Sequence, residues 1–181
     1  MEAFVFFVFF GLYICIRVLF GGSESAWERQ KKMHIHGMQL YRNQHIEEAR
    51  FYFESAHKRK PFEALPLVIL GEIALQDQKP ELALAYGQKA LRVDNGVAEA
   101  HLLMSKGLHA IGEYDEALKN AKTAAWFGRN LEEANWWYAS QLLAHGRVDE
   151  SITYLEIACK QGSQSSWIQA IKEKFIKSLP G

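Results

Sequence analysis

Cysteine is scarce in this chain of 181 residues, and neither sign of charge is in excess. The two cysteines, Cys15 and Cys159, are too few for a disulfide framework and form neither a zinc knuckle nor a CxxC redox pair. Twenty-one Lys and Arg residues balance twenty-one Asp and Glu residues, so no net charge attracts a nucleic acid or another polyanion. We therefore expect no nucleic acid among the partners.

Motifs that carry catalysis or bind metals are also missing from the sequence. It contains neither HExxH nor GxSxG, so a zinc-peptidase site and a nucleophile elbow are both absent. His34 and His36 point to different sides of a helix, and His101 and His109 are two helical turns apart. Neither pair can therefore bind one metal ion by itself. We predict a protein that is not an enzyme, with no catalytic residue, metal, cofactor or small-molecule substrate.

The first twenty residues are far more apolar than the rest of the chain. Residues 3–20, AFVFFVFFGLYICIRVLF, carry Arg17 as their one charged side chain. As a helix this segment measures about 27 Å, close to the hydrocarbon thickness of a bilayer. A cleaved signal peptide is the alternative, but the chain starts with Met-Glu and shows no Ala-x-Ala cleavage signature. We predict a transmembrane anchor over residues 1–20.

Positive charge lies on one side of the predicted anchor. Glu2 precedes it, and four basic residues lie at or after its far end: Arg17, Arg29, Lys31 and Lys32. The positive-inside rule then places the rest of this single-pass membrane protein on the cytoplasmic side. We favour the bacterial inner membrane, with the mitochondrial outer membrane as the alternative. Residues 21–29 are predicted to be a linker and the start of the first helix, which opens with a capping box at Ser25 and Glu28.

Small residues recur along the chain with a period of thirty-four. Twelve positions in three series hold Gly, Ala or Ser: Gly37, Gly71, Ser105 and Ala139; Ala49, Ala83, Ala117 and Ser151; Ala56, Ala90, Ala124 and Ala158. A period of this length is typical of stacked helical repeats. Small side chains at helical spacing let another backbone approach closely, so we expect all twelve to lie where helices pack.

Turn signals lie between the first and second series of small residues. Pro80 suits the first position of a helix, where its missing N–H is not needed. Gly112 and Gly146 suit the left-handed residue that ends a helix. Each unit is thus predicted to be two helices of about a dozen residues or more, folded back on each other.

The first unit matches a known repeat at Gly37, Ala49, Phe53, Ala56 and Pro61. This pattern resembles the tetratricopeptide repeat (TPR), which has small residues at positions 8, 20 and 27, an aromatic residue at 24 and Pro at 32. The family's Trp at position 4 is replaced here by Met33, Leu67, His101 and Asn135.

The resemblance implies an all-α fold in which the N-terminal transmembrane helix is followed by a right-handed α-solenoid. About four TPR hairpins would span residues 30–63, 64–97, 98–131 and 132–165. Residues 166–181 are predicted to form a polar-backed capping helix, which an open stack needs at its end.

The resemblance also implies that the first helix of each hairpin lines a concave groove that binds a partner peptide or helix. The family's groove positions give twelve candidate residues here: His34, Met38, Tyr41, Arg42, Val68, Glu72, Leu75, Leu102, Lys106, His109, Trp136 and Ser140. Chaperone-binding members grip a carboxylate with Lys, Arg and Asn side chains. The matching positions here hold His34, Met38, Ile69, Glu99 and Leu103, which disfavours a chaperone-tail receptor.

Three aromatic residues stand together at Trp136, Trp137 and Tyr138. Neighbouring residues on a helix point about 100° apart, so the two tryptophans cannot share one face. The alignment with the repeat predicts that Tyr138 enters the core and that Trp137 packs on the first helix of the neighbouring hairpin. Trp136 is predicted to face the groove, either as a binding hot spot or in ordinary packing.

The predicted function is that of a non-enzymatic adaptor or scaffold. The anchor would hold the repeats at the membrane, and the groove would bind a protein or peptide partner. The alternative is a structural or assembly subunit of a larger membrane complex. An RNA-binding array of the pentatricopeptide type would need a longer period and a basic groove, which the sequence lacks.

Overall fold

The computed structural model describes residues 25–161, so the predicted anchor over residues 1–20 and the predicted capping helix over residues 166–181 lie outside the described residues. Between residues 25 and 161 the chain forms nine α-helices and no β-strand, which confirms the all-α class. The helices are α1 Ala26–Met33, α2 Ile35–Arg42, α3 Ile46–Arg59, α4 Ala64–Gln76, α5 Pro80–Val93, α6 Ala98–Ala110, α7 Tyr114–Phe127, α8 Glu132–Ala144 and α9 Val148–Gln161. None of the helices in this range is long and apolar enough to cross a bilayer.

The chain divides into two compact units, Met1–Ile35 and His36–Gly181. In the first unit, the backbone N–H of Glu28 donates to the Ser25 hydroxyl at 3.1 Å, so the predicted cap at the start of α1 is confirmed. Helix α1 ends at Met33 because the next residue, His34, has a ψ of 25°, far from the helical value of about −42°. The break leaves α2 with eight residues, shorter than the dozen expected.

Helices of the second unit pack as successive pairs. Helix α4 packs on α5, α6 on α7 and α8 on α9, while α3 contacts α4, α5 contacts α6 and α7 contacts α8. Helices α4, α6 and α8 begin at Ala64, Ala98 and Glu132, each thirty-four residues after the one before. We call α2, α4, α6 and α8 the A helices, and α3, α5, α7 and α9 the B helices.

All twelve small residues of the periodic series are buried, as predicted. Their size matters because neighbouring side chains occupy the space beside them. A methyl group added at Gly71 of α4 would overlap Leu103 of α6, and one added at Gly37 of α2 would overlap Tyr52 of α3. Glycine at these two positions therefore leaves the space that a side chain of the neighbouring helix fills.

The turn from each A helix to its B helix contains one residue with positive φ. These residues are Gln44, Gln78, Gly112 and Gly146, with φ of 63°, 61°, 89° and 71°. In each turn the residue that follows donates its backbone N–H to a carbonyl five residues earlier, as Lys79 does to Ala74 at 2.8 Å and Glu113 to Leu108 at 2.9 Å. This bond is that of a Schellman helix end. The two glycines confirm the predicted left-handed turns, and the two glutamines adopt the same conformation without the usual residue type.

Helix α4 is the most buried helix in residues 25–161. Its buried residues include Leu65, Val68 and Ile69, three apolar side chains in its first two turns. A helix that is hydrophobic on nearly every side belongs to the interior of a protein. Glu72, Leu75 and Gln76 are the residues of α4 that keep exposed surface, and they lie towards its C-terminal end.

Candidate partner-binding surface

The A helices lie next to one another along one side of the second unit. Helix α4 contacts α6, and α6 contacts α8. Polar side chains of the four A helices meet on this side, with Tyr41 from α2, Glu72 from α4, Lys106 from α6 and Glu133 from α8. We call this surface the inner face.

Burial separates the twelve candidate residues into groups. Eight are partly exposed, namely Met38, Tyr41, Glu72, Leu75, Lys106, His109, Trp136 and Ser140, and Arg42 is exposed. Val68 and Leu102 are buried, with 3% and 2% of their surface exposed, so they support the inner face from below and offer no surface to a partner. His34 is buried at 5% exposure and belongs to the first unit, Met1–Ile35.

Lys106 joins three consecutive A helices. Its ammonium group lies 3.3 Å and 3.4 Å from the two carboxylate oxygens of Glu72 on α4 and 2.7 Å from Oε1 of Glu133 on α8. The side chains of Glu72 and Lys106 are only 21% and 19% exposed, whereas that of Glu133 is 59% exposed. We call these three residues the lysine cluster. It places two negative charges around one positive charge.

Burial and charge act in opposite directions on the acid–base properties of the lysine cluster. Burial raises the pKa of Glu72 above its ordinary value, although the positive charge of Lys106 favours the ionised carboxylate. Burial alone lowers the pKa of Lys106, but Glu72 and Glu133 outweigh it, and the pKa of the lysine is raised. Lys106 thus remains charged at neutral pH, held by both carboxylates.

A tyrosine extends this polar surface to the first A helix. The side-chain amide of Gln76 donates to the Tyr41 hydroxyl at 3.1 Å, which links α4 to α2. Burial, followed by the negative charges of Glu72 and Glu133, raises the pKa of Tyr41, so its hydroxyl keeps its proton. Tyr41 therefore remains available as a hydrogen-bond donor beside the lysine cluster.

Aromatic side chains continue the inner face between α6 and α8. The His109 ring meets Trp137 edge to face at 5.6 Å between centroids and Tyr114 at 5.1 Å. Nδ1 of His109 lies 3.1 Å from the amide oxygen of Gln141. These contacts hold His109 between two aromatic rings, so its predicted place on the inner face is determined by packing within the repeats.

The three neighbouring aromatic residues of α8 separate as predicted. Tyr138 is buried and meets Tyr154 of α9 edge to face at 4.6 Å, which confirms its place in the core. The indole N–H of Trp137 donates to the Ser105 hydroxyl of α6 at 2.8 Å, which confirms packing on the neighbouring hairpin. Trp136 is partly exposed, with its ring centroid 6.3 Å from that of Trp137.

The sequence alone does not show how the inner-face residues pair. Gln76 and Glu133 occupy the repeat's groove positions 13 and 2, but their bonds to Tyr41 and Lys106 depend on how far apart neighbouring hairpins lie. One feature of the sequence does indicate the pairing of Glu72 with Lys106. The two residues are thirty-four positions apart, and equivalent positions of adjacent repeats face each other. Within residues 25–161, no three His, Cys, Asp or Glu side chains lie together so that they could hold a metal ion.

Comparisons with known proteins agree with this architecture. Residues 36–98 match the family model of the tetratricopeptide repeat. The fold is similar to the crystal structure of MamA, with a TM-score of 0.56 and 18% identity over 70% of this chain and 74% of that one. It is also similar to YrrB, a TPR protein with an unusual peptide-binding site, with a TM-score of 0.58 and 20% identity over 76% of this chain and 71% of that one.

A third similar structure contains a bound peptide. It is the first TPR of Spaghetti (RPAP3) bound to the HSP90 peptide SRMEEVD, with a TM-score of 0.60 and 14% identity over 64% of this chain and 94% of that one. No curated protein sequence matches this chain. At these identities the likeness shows the fold, which is a TPR-like helical solenoid, and the family model supports the tetratricopeptide repeat family over the residues that it matches.

Proposed function

We propose that this protein is a non-enzymatic adaptor whose inner face binds a peptide or helix of a partner protein. The observation that carries the proposal is the lysine cluster, in which Lys106 joins Glu72 and Glu133 across α4, α6 and α8. Lys106 and Glu72 are paired and largely buried, so their charges keep a fixed arrangement before a partner arrives. A preformed surface loses less conformational entropy on binding than a mobile one.

Apolar side chains beside the lysine cluster supply contact area for such a partner. Met38, Leu75 and Trp136 are each partly exposed on A helices. This surface suits an amphipathic helix. The apolar face of such a helix would contact the apolar side chains, and its polar edges would meet the charged residues of the lysine cluster. Trp136 is the best candidate for a hot spot because tryptophan is enriched among the residues that dominate binding energies.

An acidic C-terminal tail is a poor partner for this inner face. Lys106 is already bonded to two carboxylates, so a third carboxylate would meet the negative charge of Glu72 and Glu133. Three of the five positions that match the chaperone-binding clamp, His34, Ile69 and Leu103, are buried. The peptide seen with Spaghetti carries two adjacent glutamates and an aspartate, which is the kind of ligand that this surface disfavours.

Tethering to a membrane is part of the proposed function. Residues 3–20 are apolar apart from Arg17, and basic residues follow them at Arg29, Lys31 and Lys32. We propose that this segment anchors the repeats at the cytoplasmic face of a bacterial inner membrane. A partner confined to the same surface meets the inner face at a high effective concentration, so moderate affinity is sufficient.

Photo-crosslinking of the full-length protein in cells tests binding at the inner face. A benzoylphenylalanine replaces Trp136, and the control carries the same probe at Trp126, which is 65% exposed on the B helix α7. We expect a specific adduct from the probe at position 136 and none of that adduct at position 126. Trp136→Ala and Lys106→Glu should weaken capture of the same protein by an affinity tag on this chain. Equal adducts from both probes, or capture that neither substitution changes, would place binding elsewhere.

A further inference from the structure

One face of helix α3 is apolar at its centre and exposed. Phe51 is 73% exposed, and together with Tyr52 it lines a cleft of about 560 Å³ in the second unit, whose other wall is formed by His36 and Leu40 of α2. Helix α3 packs on α4, and its buried residues are Ala49, Phe53 and Ala56. Large exposed aromatic side chains beside a cleft are typical of surfaces that bind another protein.

Opposite charges lie at the two ends of the same face. Glu48 stands in the first turn of α3 and Arg59 in the last, and both line the cleft with Phe51, Tyr52 and Ser55. These residues are spaced by three, four and seven positions, which places them on one side of a helix. The face is therefore acidic at its start, aromatic and then small in the middle, and basic at its end.

We propose that this face of α3 binds the same face of a second copy of the chain, with the two helices antiparallel around a two-fold axis. The axis would pass between Phe53 and Glu54. Glu48 then lies opposite Arg59 of the other copy, and Tyr52 lies opposite Ser55, where a small side chain leaves room. Both copies use the same residues, as a two-fold interface requires.

The charge pattern selects a second copy over an unrelated partner. An acidic partner would meet Arg59 but repel Glu48, and a basic partner would do the reverse, whereas the reversed helix of another copy satisfies both ends. The bonds that these residues make within one chain are exposed. Glu48 Oε1 lies 3.2 Å from Nδ1 of His45, and Arg59 donates to the Ser55 carbonyl at 3.3 Å. Exposed pairs of this kind contribute little to stability, so exchanging them for pairs between copies costs little.

Crosslinking of the whole chain expressed in cells tests this interface. In a background of Cys15→Ser and Cys159→Ser, the substitution Ser55→Cys places a thiol close to its own counterpart across the proposed axis. Packed helix axes are separated by about 8–10 Å, which a short bismaleimide spans. We expect a crosslinked dimer from this variant and none from a control with Thr123→Cys on α7. Failure of Ser55→Cys to crosslink would overturn the proposal.

Charge reversal then tests the orientation of the two helices. Glu48→Arg and Arg59→Glu, each added alone to the crosslinking variant, place like charges opposite each other and should reduce dimer yield by about tenfold. Coexpression of the two single variants should restore the crosslink, because each basic end then meets an acidic end. The restored yield also shows that both chains fold. Unchanged yield in the single variants, or no recovery in the mixture, would exclude this antiparallel pairing.

Discussion

The indole N–H of Trp137 donates to the hydroxyl of Ser105 at 2.8 Å, and that hydroxyl donates to the backbone carbonyl of Ala117 at 2.7 Å. The two bonds connect α8, α6 and α7, so a single buried serine holds three helices from two consecutive hairpins. Ser105 has no exposed surface. The repeat period accounts for a small residue at position 105. The two hydrogen bonds of the hydroxyl account for serine at this position, where Gly37, Gly71 and Ala139 occupy the equivalent positions of the other repeats.

Replacing Ser105 by Ala should destabilise the protein by about 1–3 kcal/mol, because the indole N–H of Trp137 loses its acceptor while it stays partly buried. Trp137→Phe removes the donor. In a double-mutant cycle, the loss in the double variant should be smaller than the sum of the two single losses by about 1 kcal/mol. Urea denaturation followed by circular dichroism measures these differences. Strict additivity would mean that the bond contributes nothing.

Gly112→Ala should destabilise the protein by about 1 kcal/mol through backbone conformation alone. Its φ is 89°, and a methyl group built there has no atom within 4 Å, so steric overlap is not involved. Gln78→Gly should instead stabilise the protein, because Gln78 has a φ of 61°, which glycine adopts more readily. Thermal melts of both variants test the pair. A stabilised Gly112→Ala variant would contradict the assigned turn.

Gly71→Ala should destabilise the protein by about 1–3 kcal/mol for a different reason, since the added methyl group would overlap Leu103 on the next A helix. Gly96→Ala is the matched control, because a methyl group there makes only an ordinary contact of 3.4 Å with Asp94. We expect the control to change stability little. Equal destabilisation of the two variants would show that overlap with Leu103 does not determine the outcome.

Lys106→Met should destabilise the protein by about 1–3 kcal/mol at neutral pH, because it leaves the partly buried carboxylate of Glu72 without its cation. Burial raises the pKa of Glu72 above its ordinary value of 4.5, so the folded state binds this proton more tightly than the unfolded state. The contribution of Glu72 to stability is therefore full below pH 4.5 and declines as pH rises through the raised pKa.

Removing Lys106 raises that pKa further, so the stability difference between Lys106→Met and the parent should grow as pH rises from 4.5 to neutral. Denaturation at several pH values measures the difference. Adding Glu72→Gln to Lys106→Met should remove most of this dependence, because the titrating carboxyl is then gone. A difference that stays constant with pH would show that Glu72 is not the group affected.

The repeat period predicted the helical class and the burial of the small residues, but not the break at His34. It also could not predict how individual polar residues are used. Asn135 illustrates the limit. It stands where the repeat usually has Trp, and its side-chain amide lies within 3.4 Å of three backbone carbonyls, those of Gly128, Arg129 and Leu131. A buried asparagine that organises the preceding loop has no signature in residue spacing, because its partners are backbone atoms whose positions depend on the turn.

The linear order of residues was sufficient to determine the helical class, the places where helices approach each other and the glycine turns. These follow from local geometry, since a helix repeats its faces every few residues and only a small side chain admits a neighbouring backbone. Tertiary structure alone decided that Val68 and Leu102 are buried beneath the inner face while Lys106 bonds to Glu72 and Glu133 above it. Burial and ion pairing between hairpins depend on the rotation and distance from one repeat to the next, which arise only when all the hairpins pack together.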